Sequence, residues 1–439
     1  MSAPEALRAE LDRLATTAQA EERQPSLSAC VFRDGVPVWT HAAGLADVAA
    51  AVEASPETQY RIGSITKTFT AVLVMQLRDA GELSLDDPLT THIPESPHAP
   101  TIRRLLSHTS GIQREPPGEI WESMQPPTRE ELVAQLGDAE QVLPPGFSWH
   151  YSNLAFALLG EVVARHHGRD WFEVLEERVL RPLGLQDTAL DATRAARGYF
   201  VEPFSDAMRV EPDVEGHGTA SIGHLWSTAR DLAGWGAFLA RPDEAVLAPA
   251  TVDEMALVET MVDQQRWTLG WGLGLELYRI GERVFVGHGG AMPGFLAGLV
   301  VAREERIGAA VLTNSGAGPK PEALALALAD AAAAAWPVPP EPWQPGEAPP
   351  TEAAELLGPW WTEGSELVLR WRAGRLEAVL VAGVPGRNVS TFELEGDGVY
   401  RCVEGRERGE LLRVIRNASG AIEKLYFATY PVRREPSTS

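Results

Sequence analysis

From Thr66 onward, apolar side chains recur at Phe69, Val72, Leu73, Leu77 and Ala80, the three-to-four spacing of a helix with a buried face. Gly81 supplies the left-handed stop such helices favour, and Tyr60, Arg61 and Ile62 ahead of it read as extended. Upstream, the pattern predicts an amphipathic helix over residues 5–20 and two strands over 27–32 and 36–40, joined at a turn carrying Asp34 and Gly35. Downstream it predicts a capped short helix over 101–106 and helices over 129–136, 153–166, 171–179 and 228–240, several opened by Ser, Thr or Asp. Strand character returns over 267–277, 283–287, 296–301 and 307–313, and an alanine- and leucine-rich helix follows over 321–336. Strands at both ends with helices between them imply one sheet completed by distant segments. This is an α/β (α+β) architecture whose cleft lies where a large helical insertion meets the sheet.

Prolines then crowd residues 337–350, a semi-extended linker. Short strands over 367–369, 376–381, 392–394, 399–403, 411–415 and 425–430, separated by turns, predict a small antiparallel barrel or sandwich. The expected organisation is thus a domain at 1–336, a linker at 337–350 and a barrel at 351–439, in keeping with the two cores that 439 residues favour. A net charge of −23 argues against nucleic acid or an anionic membrane as partner, since both are polyanions. Cys30 and Cys402 are too far apart in sequence to suggest a disulfide framework and are expected to be reduced and buried. Residues 1–24 lack the basic start and apolar stretch of a signal peptide, and no segment reaches the ~20 apolar residues of a membrane span, so the expected location is cytoplasmic. The ten histidines form no His-x-x-x-His pair with a helical acidic partner, and neither metal nor cofactor is expected.

Chemistry enters at the start of the 66–80 helix. Ser64 and Lys67 stand three residues apart in its first turn and project from one face, so a hydroxyl and an amine meet. A serine hydroxyl becomes nucleophilic only when a neighbour takes its proton, and an ammonium with the reference pKa of about 10.4 cannot do so. Burial at a helix start, beside the exposed N–H groups of the positive dipole end, would lower that pKa and offer the Ser64 amide to an oxyanion. By itself Ser-x-x-Lys is also what a helix cap beside a surface lysine looks like. The composition weighs against that reading: lysine occurs only at Lys67, Lys320 and Lys424, and the remaining basic residues are arginines, which cannot give up a proton.

Two further constellations lie far along the chain. Tyr151 and Asn153 flank a serine at the end of a proline-glycine turn, where a phenol can shuttle protons and a carboxamide can hold both the lysine and a substrate carbonyl. His288, Gly289, Gly290 and Ala291 follow the 283–287 strand, where glycines let a substrate approach a strand edge whose amides can donate to an oxyanion. Each has a plain structural reading as well, an aromatic at a helix cap and a strand-end turn with a solvated histidine.

Taken in order, Ser64-x-x-Lys67, Tyr151-x-Asn153 and His288-x-Gly290 resemble the serine β-lactamase and penicillin-binding-protein superfamily, in its class C-like branch. The resemblance extends through the segments at 101–112, 182–185, 225–232 and 269–272 and covers about 7–336, while the C-terminal strands resemble a lipocalin-like barrel. It implies a β-lactamase-like antiparallel sheet with Ser64 as acylated nucleophile, Lys67 as proton acceptor, Tyr151 as proton relay and Asn153 orienting the acyl amide. It places the oxyanion hole at the backbone N–H groups of Ser64 and Ala291. Many penicillin-recognising members carry Lys-Thr-Gly in the third box, where this chain has His288, mostly neutral at pH 7, so the carboxylate grip weakens and β-lactam hydrolysis is not the expected main activity.

Esterases, D-aminopeptidase-like enzymes and peptide-cyclising thioesterases of the superfamily are similar in carrying His there. The implied substrate is a small molecule or peptide with D-residues, or a carrier-linked peptidyl thioester closed into a macrocycle; a non-catalytic binder on the same scaffold is the contrasting class. Trp149, Trp226, Trp271 and Phe295 are candidates to line the cleft, and Arg433 near the chain end is a candidate to hold a substrate carboxylate.

Overall fold

β1 (Ser26–Arg33) alternates its side chains between two cores. Leu27, Ala29 and Val31 face one and Cys30 and Phe32 the other, the period-two signature of a strand covered on both sides. In this computed structural model, residues 3–436 are described, apart from Glu215, Pro319, Pro340 and Glu341 and the side chain of His217. The chain forms two compact units, Met1–Val338 and Pro339–Ser439.

In the first unit β1 pairs antiparallel with β2 (Val36–Asp47), which carries the two-residue β3 (Val52–Glu53) at its edge. Two short ribbons follow outside the main sheet, β4 (Tyr60–Arg61) with β7 (Trp226–Ser227) and β5 (Tyr199–Val201) with β6 (Met208–Val210). The sheet is completed by β8 (Thr260–Met261), β9 (Leu269–Trp271), β10 (Glu276–Ile280), β11 (Arg283–Met292), β12 (Phe295–Ala302) and β13 (Ile307–Thr313). Its order is β3-β2-β1-β13-β12-β11-β10-β9-β8, with β13 docking on β1 from Leu27↔Thr313 to Arg33↔Ile307. The helices Glu5–Glu21 and Pro321–Ala335 cover one face and supply the core around Leu11, Ala325 and Leu328. The helical insertion covers the other. At its centre lies the helix Thr66–Asp79, buried continuously from Thr66 to Leu77, whose side chains are therefore enclosed all round.

Differences from the sequence expectations have local causes. The 267–277 segment is a hairpin rather than one strand, turning at Gly274 with φ +77°. The strand expected to stop at residue 287 runs on to Met292, because its glycines serve close backbone approach rather than a turn. A side chain at Gly287 would strike Leu299 O, and one at Gly290 would strike Ile62 O.

The second unit is an eight-stranded antiparallel meander, nearly closed into a barrel, which fits the lipocalin-like expectation. Its strands are β14 (Gly358–Thr362), β15 (Ser365–Arg372), β16 (Arg375–Leu380), β17 (Val389–Gly396), β18 (Val399–Glu404), β19 (Leu411–Arg416), β20 (Ile422–Phe427) and β21 (Tyr430–Val432). β14 was not expected, and the 425–430 strand is split at Ala428, φ +52°. Trp361 and Arg433 exchange backbone hydrogen bonds of 2.7 and 2.9 Å to bring the last segment back to the first. Cys30 and Cys402 are both buried free thiols. Among the described residues no helix is long and apolar enough to cross a membrane.

Candidate active site

A 3₁₀ turn, Gly63–Ile65, leads into the Thr66–Asp79 helix and presses Ser64 against β11. Gly63 adopts φ +51°, a region that favours glycine, and a side chain there would collide with Ala291 N. The turn and the strand can therefore meet only backbone to backbone. Upstream, pairing of β4 with β7 fixes Tyr60 and Arg61, so Ser64 is held from both sides.

Lys67 is fully buried, with Nζ 2.9 Å from Ser64 Oγ and 3.0 Å from Ile222 O. Burial holds its pKa well below the ordinary lysine value; Arg114 adds to the depression, while Glu115 and Glu276 oppose it. Its amine faces the Ser64 hydroxyl. The Tyr151 hydroxyl hydrogen-bonds the same Ser64, and burial of the phenol raises its pKa above the usual value, so it carries its proton at rest. Nζ stands 5.0 Å from the centroid of the Tyr151 ring and 5.8 Å from that of Phe156, packing that excludes water from the amine.

Asn153 opens its helix, with Ser152 as N-cap accepting from Ala155 N. The expected contact of Asn153 with Lys67 is not made, because the second hydrogen bond of Nζ goes to Ile222 O. Asn153 Nδ2 instead donates to both carboxylate oxygens of Glu115, at 2.8 and 3.0 Å, and its Oδ1 is buried without a partner.

His288 is not a solvated turn residue but lies inside β11, 1% exposed. Its Nδ1 donates to Gly289 O at 2.5 Å, which leaves Nε2 with a lone pair and no partner. Burial, with Lys67 nearby, lowers its pKa to about 3, so the ring is neutral throughout the working pH range. β10 leaves β11 at the Glu276↔Gly287 pair, and from His288 to Met292 that edge is unpaired. The Glu276 side chain accepts from Gly289 N; amides two apart in a strand point the same way, so Ala291 N–H is directed to the free edge facing Ser64.

Ser64, Tyr151, Asn153, Trp149, Trp271, His288, Gly289, Gly290 and Ala291 all line one cleft of about 1100 Å³. Trp226 does not: it stacks edge-on against Phe295 at 5.3 Å and lies beneath the Arg61 guanidinium at 4.5 Å. Arg433 belongs to the barrel unit, where its backbone pairs with Trp361 and its side chain is exposed.

Sequence reasoning missed His108, Glu115, Glu276 and Glu322. His108 is fully buried, accepts from Ser152 N at 3.0 Å and packs on Tyr151 at 4.3 Å. Its only local signal is its place beside Ser107 and Thr109 in a polar turn, whereas the three glutamates reach the cleft through tertiary folding alone.

The site thus joins a Ser-x-x-Lys pair at the head of a buried helix, a tyrosine on the serine and a free strand edge opposite. The chain belongs to the β-lactamase family, whose model, described as Beta-lactamase, matches residues 11–334. A second model, described as a domain of unknown function, matches 349–434. The chain is 29% identical over 322 residues to penicillin-binding protein 4 of Amycolatopsis lactamdurans, covering 67% of this chain and 82% of that protein. It is 26% identical over 326 residues to a D-aminopeptidase of Brucella anthropi, covering 69% and 59%. Several other curated relatives are matched over 36% to 61% of their own length. Among solved structures, that of SurE superposes with a TM-score of 0.63 at 27% identity, covering 98% of this chain and 99% of that one.

Proposed function

We propose that the protein is a serine hydrolase or acyltransferase that forms an acyl-enzyme on Ser64 from an ester, thioester or amide, with D-configured peptides as the substrate class. The observation carrying this reading is the buried amine of Lys67, 2.9 Å from the Ser64 hydroxyl. In the proposed cycle Ser64 Oγ attacks the acyl carbon while its proton passes to Lys67 Nζ, and the Ser64 and Ala291 amides receive the oxyanion. As the intermediate collapses, the bond to the leaving group breaks and that group takes a proton from Lys67 through the Tyr151 hydroxyl. Water or an amine then attacks the acyl-enzyme as Tyr151 and Lys67 take its proton in turn, and as this second intermediate collapses the bond to Ser64 Oγ breaks, Oγ takes that proton back from Lys67 and the product leaves.

The kinship with a D-aminopeptidase supports the D-configured class. The neutral His288 supports esters and amides over β-lactams, because the position where many penicillin-recognising relatives carry a lysine holds no cation here to grip the carboxylate. A second reading, release of a peptidyl thioester by its own amine as a macrocycle, is favoured by the size of the cleft and its wall of Trp121, Trp149 and Trp271, which can exclude water. The test is incubation with a fluorophosphonate, mass analysis of the Ser64 peptide, and a panel of D- and L-aminoacyl esters and peptidyl thioesters with products weighed. An adduct on Ser64 with hydrolysed D-substrates is expected. Rings among the products select the second reading, and no adduct under any condition overturns both in favour of a binding protein.

A further inference from the structure

His108 stands just past the short helix Ile102–Leu106 with φ +55°, in the left-handed region that a glycine adopts without strain. A side chain is held there at a conformational cost, and it is fully buried. From this one residue two hydrogen bonds run to the segment that carries Tyr151. The His108 carbonyl accepts from His150 N at 2.7 Å, and Nδ1 of the ring accepts from Ser152 N at 3.0 Å. The amides of the residues immediately before and after Tyr151 thus end on a single residue. Its imidazole packs against the phenol ring, with centroids 4.3 Å and planes 30° apart.

Ser152 is the N-cap of its helix and is buried, so its own N–H has no partner within the helix and needs one outside it. His108 Nδ1 is that partner. Because Nδ1 accepts, the single ring proton sits on Nε2, and an imidazolium would have no acceptor to offer. Burial, and then the nearby Lys67, holds the His108 pKa well below the ordinary histidine value, which keeps the acceptor in place. Phe156 and Trp271 also pack on the ring, at 5.0 and 4.6 Å, and fix its orientation. At the other end of the contact the Tyr151 hydroxyl bonds Ser64. A phenol turns about two side-chain bonds only, so the place of its oxygen follows from the backbone at 151 and from what its ring packs on.

We propose that His108 is the positioning residue of Tyr151: by holding the amides on both sides of it and backing its ring, His108 keeps the phenol oxygen on Ser64. The role rests on the reading of Tyr151 as the relay that gives the leaving group its proton. Loss of the hold therefore falls on substrates whose leaving group needs that proton, such as an alkoxide. It spares one that departs as a stable anion, such as nitrophenolate.

The test is kcat/KM of the full chain for p-nitrophenyl, phenyl and ethyl butyrate, in the unmodified protein and in His108→Gln, His108→Asn and Tyr151→Phe. Asparagine tolerates the left-handed region and sets a side-chain oxygen near the place of Nδ1, whereas glutamine reaches only where Nε2 stood. His108→Gln should lower the ethyl-to-nitrophenyl ratio by about tenfold or more. His108→Asn should hold that ratio within about threefold of the unmodified protein. In the Tyr151→Phe background His108→Gln should change it by less than about threefold, since the two residues act as one unit. A merely structural role lowers all three esters together, so an equal loss on each overturns the proposal, as does a ratio moved as far by Asn as by Gln. If His108→Gln fails to fold, the Asn variant decides: a kept ratio supports the hold and a lost one overturns it. In nitrogen NMR spectra of the unmodified chain at about pH 5, a histidine ring with bare Nδ1 and protonated Nε2 should remain, and its absence overturns the hold. Fluorophosphonate labelling is read separately. A labelled Ser64 with an unmoved ratio sinks the positioning role alone; no labelling and no turnover of any ester sinks the acyl-transfer reading, and the ring tautomer then judges the hold by itself.

Discussion

Lys67→Met keeps an unbranched side chain of similar length in the buried helix and removes the amine. Neither His288 nor Tyr151, the other titratable groups of the three sequence boxes, replaces it as a base. His288 Nε2 has a free lone pair, but with a pKa of about 3 it is too weak at neutral pH, and Tyr151 is held protonated by burial. Loss of a positioned general base costs about 10²–10⁴-fold, and with neither group as substitute we expect about 10³-fold in acylation, or about 4 kcal/mol of barrier.

Stability should not follow activity. The two hydrogen bonds of Nζ, to Ser64 Oγ and Ile222 O, are worth about 1 kcal/mol each. Against them, folding must strip a proton from the lysine, because a lowered pKa means that the unfolded chain binds more protons than the folded one and the protein gains stability as pH rises toward the ordinary lysine value. Methionine carries no such cost, so its melting temperature should lie within about 5 °C of that of the unmodified protein. The assay is the rate of Ser64 phosphonylation and of ester turnover across pH. In the unmodified protein kcat/KM should rise through the depressed Lys67 pKa and stay flat across the ordinary lysine range. An acylation rate for Lys67→Met within tenfold of the unmodified protein, or a kcat/KM inflection near 10, would refute the reasoning.

Other consequences can be checked more briefly. His288→Lys places a cation on the free edge of β11 and should raise turnover of a carboxylate-bearing β-lactam relative to a neutral ester by about tenfold, read as a ratio of kcat/KM. Gly290→Ala would press a methyl into Ile62 O and displace the turn that carries Ser64; kcat should fall about 10²–10³-fold, the usual cost of a spoiled oxyanion hole, with KM little changed. Glu276 is raised to about 8, so the folded state binds more protons than the unfolded one between the ordinary glutamate value and that pH. Relative to Glu276→Gln, the unmodified protein should therefore lose stability, by about 4 kcal/mol, as pH rises from 4.5 to 8, measured as denaturant midpoints.

Much of this protein was legible before folding was considered. The spacing of Phe69, Val72, Leu73 and Leu77 set the buried helix, and the three-residue offset put Ser64 and Lys67 on one face, because local periodicity dictates which side chains share a surface. The run of prolines read as a linker for an equally local reason, since proline donates no backbone hydrogen bond. The role of the glycines in β11 was not local: the same residues that read as a turn in sequence let Ile62, Leu299 and Glu322 press onto a continuous strand. Nor was the state of His288, whose neutrality follows from burial beside Lys67, or the convergence of Glu115, Glu276 and Glu322 on the cleft from three distant segments. A sequence records which groups can ionise or approach; the solvent and charges around each are set only when remote segments pack together, and those decide which proton is held and where.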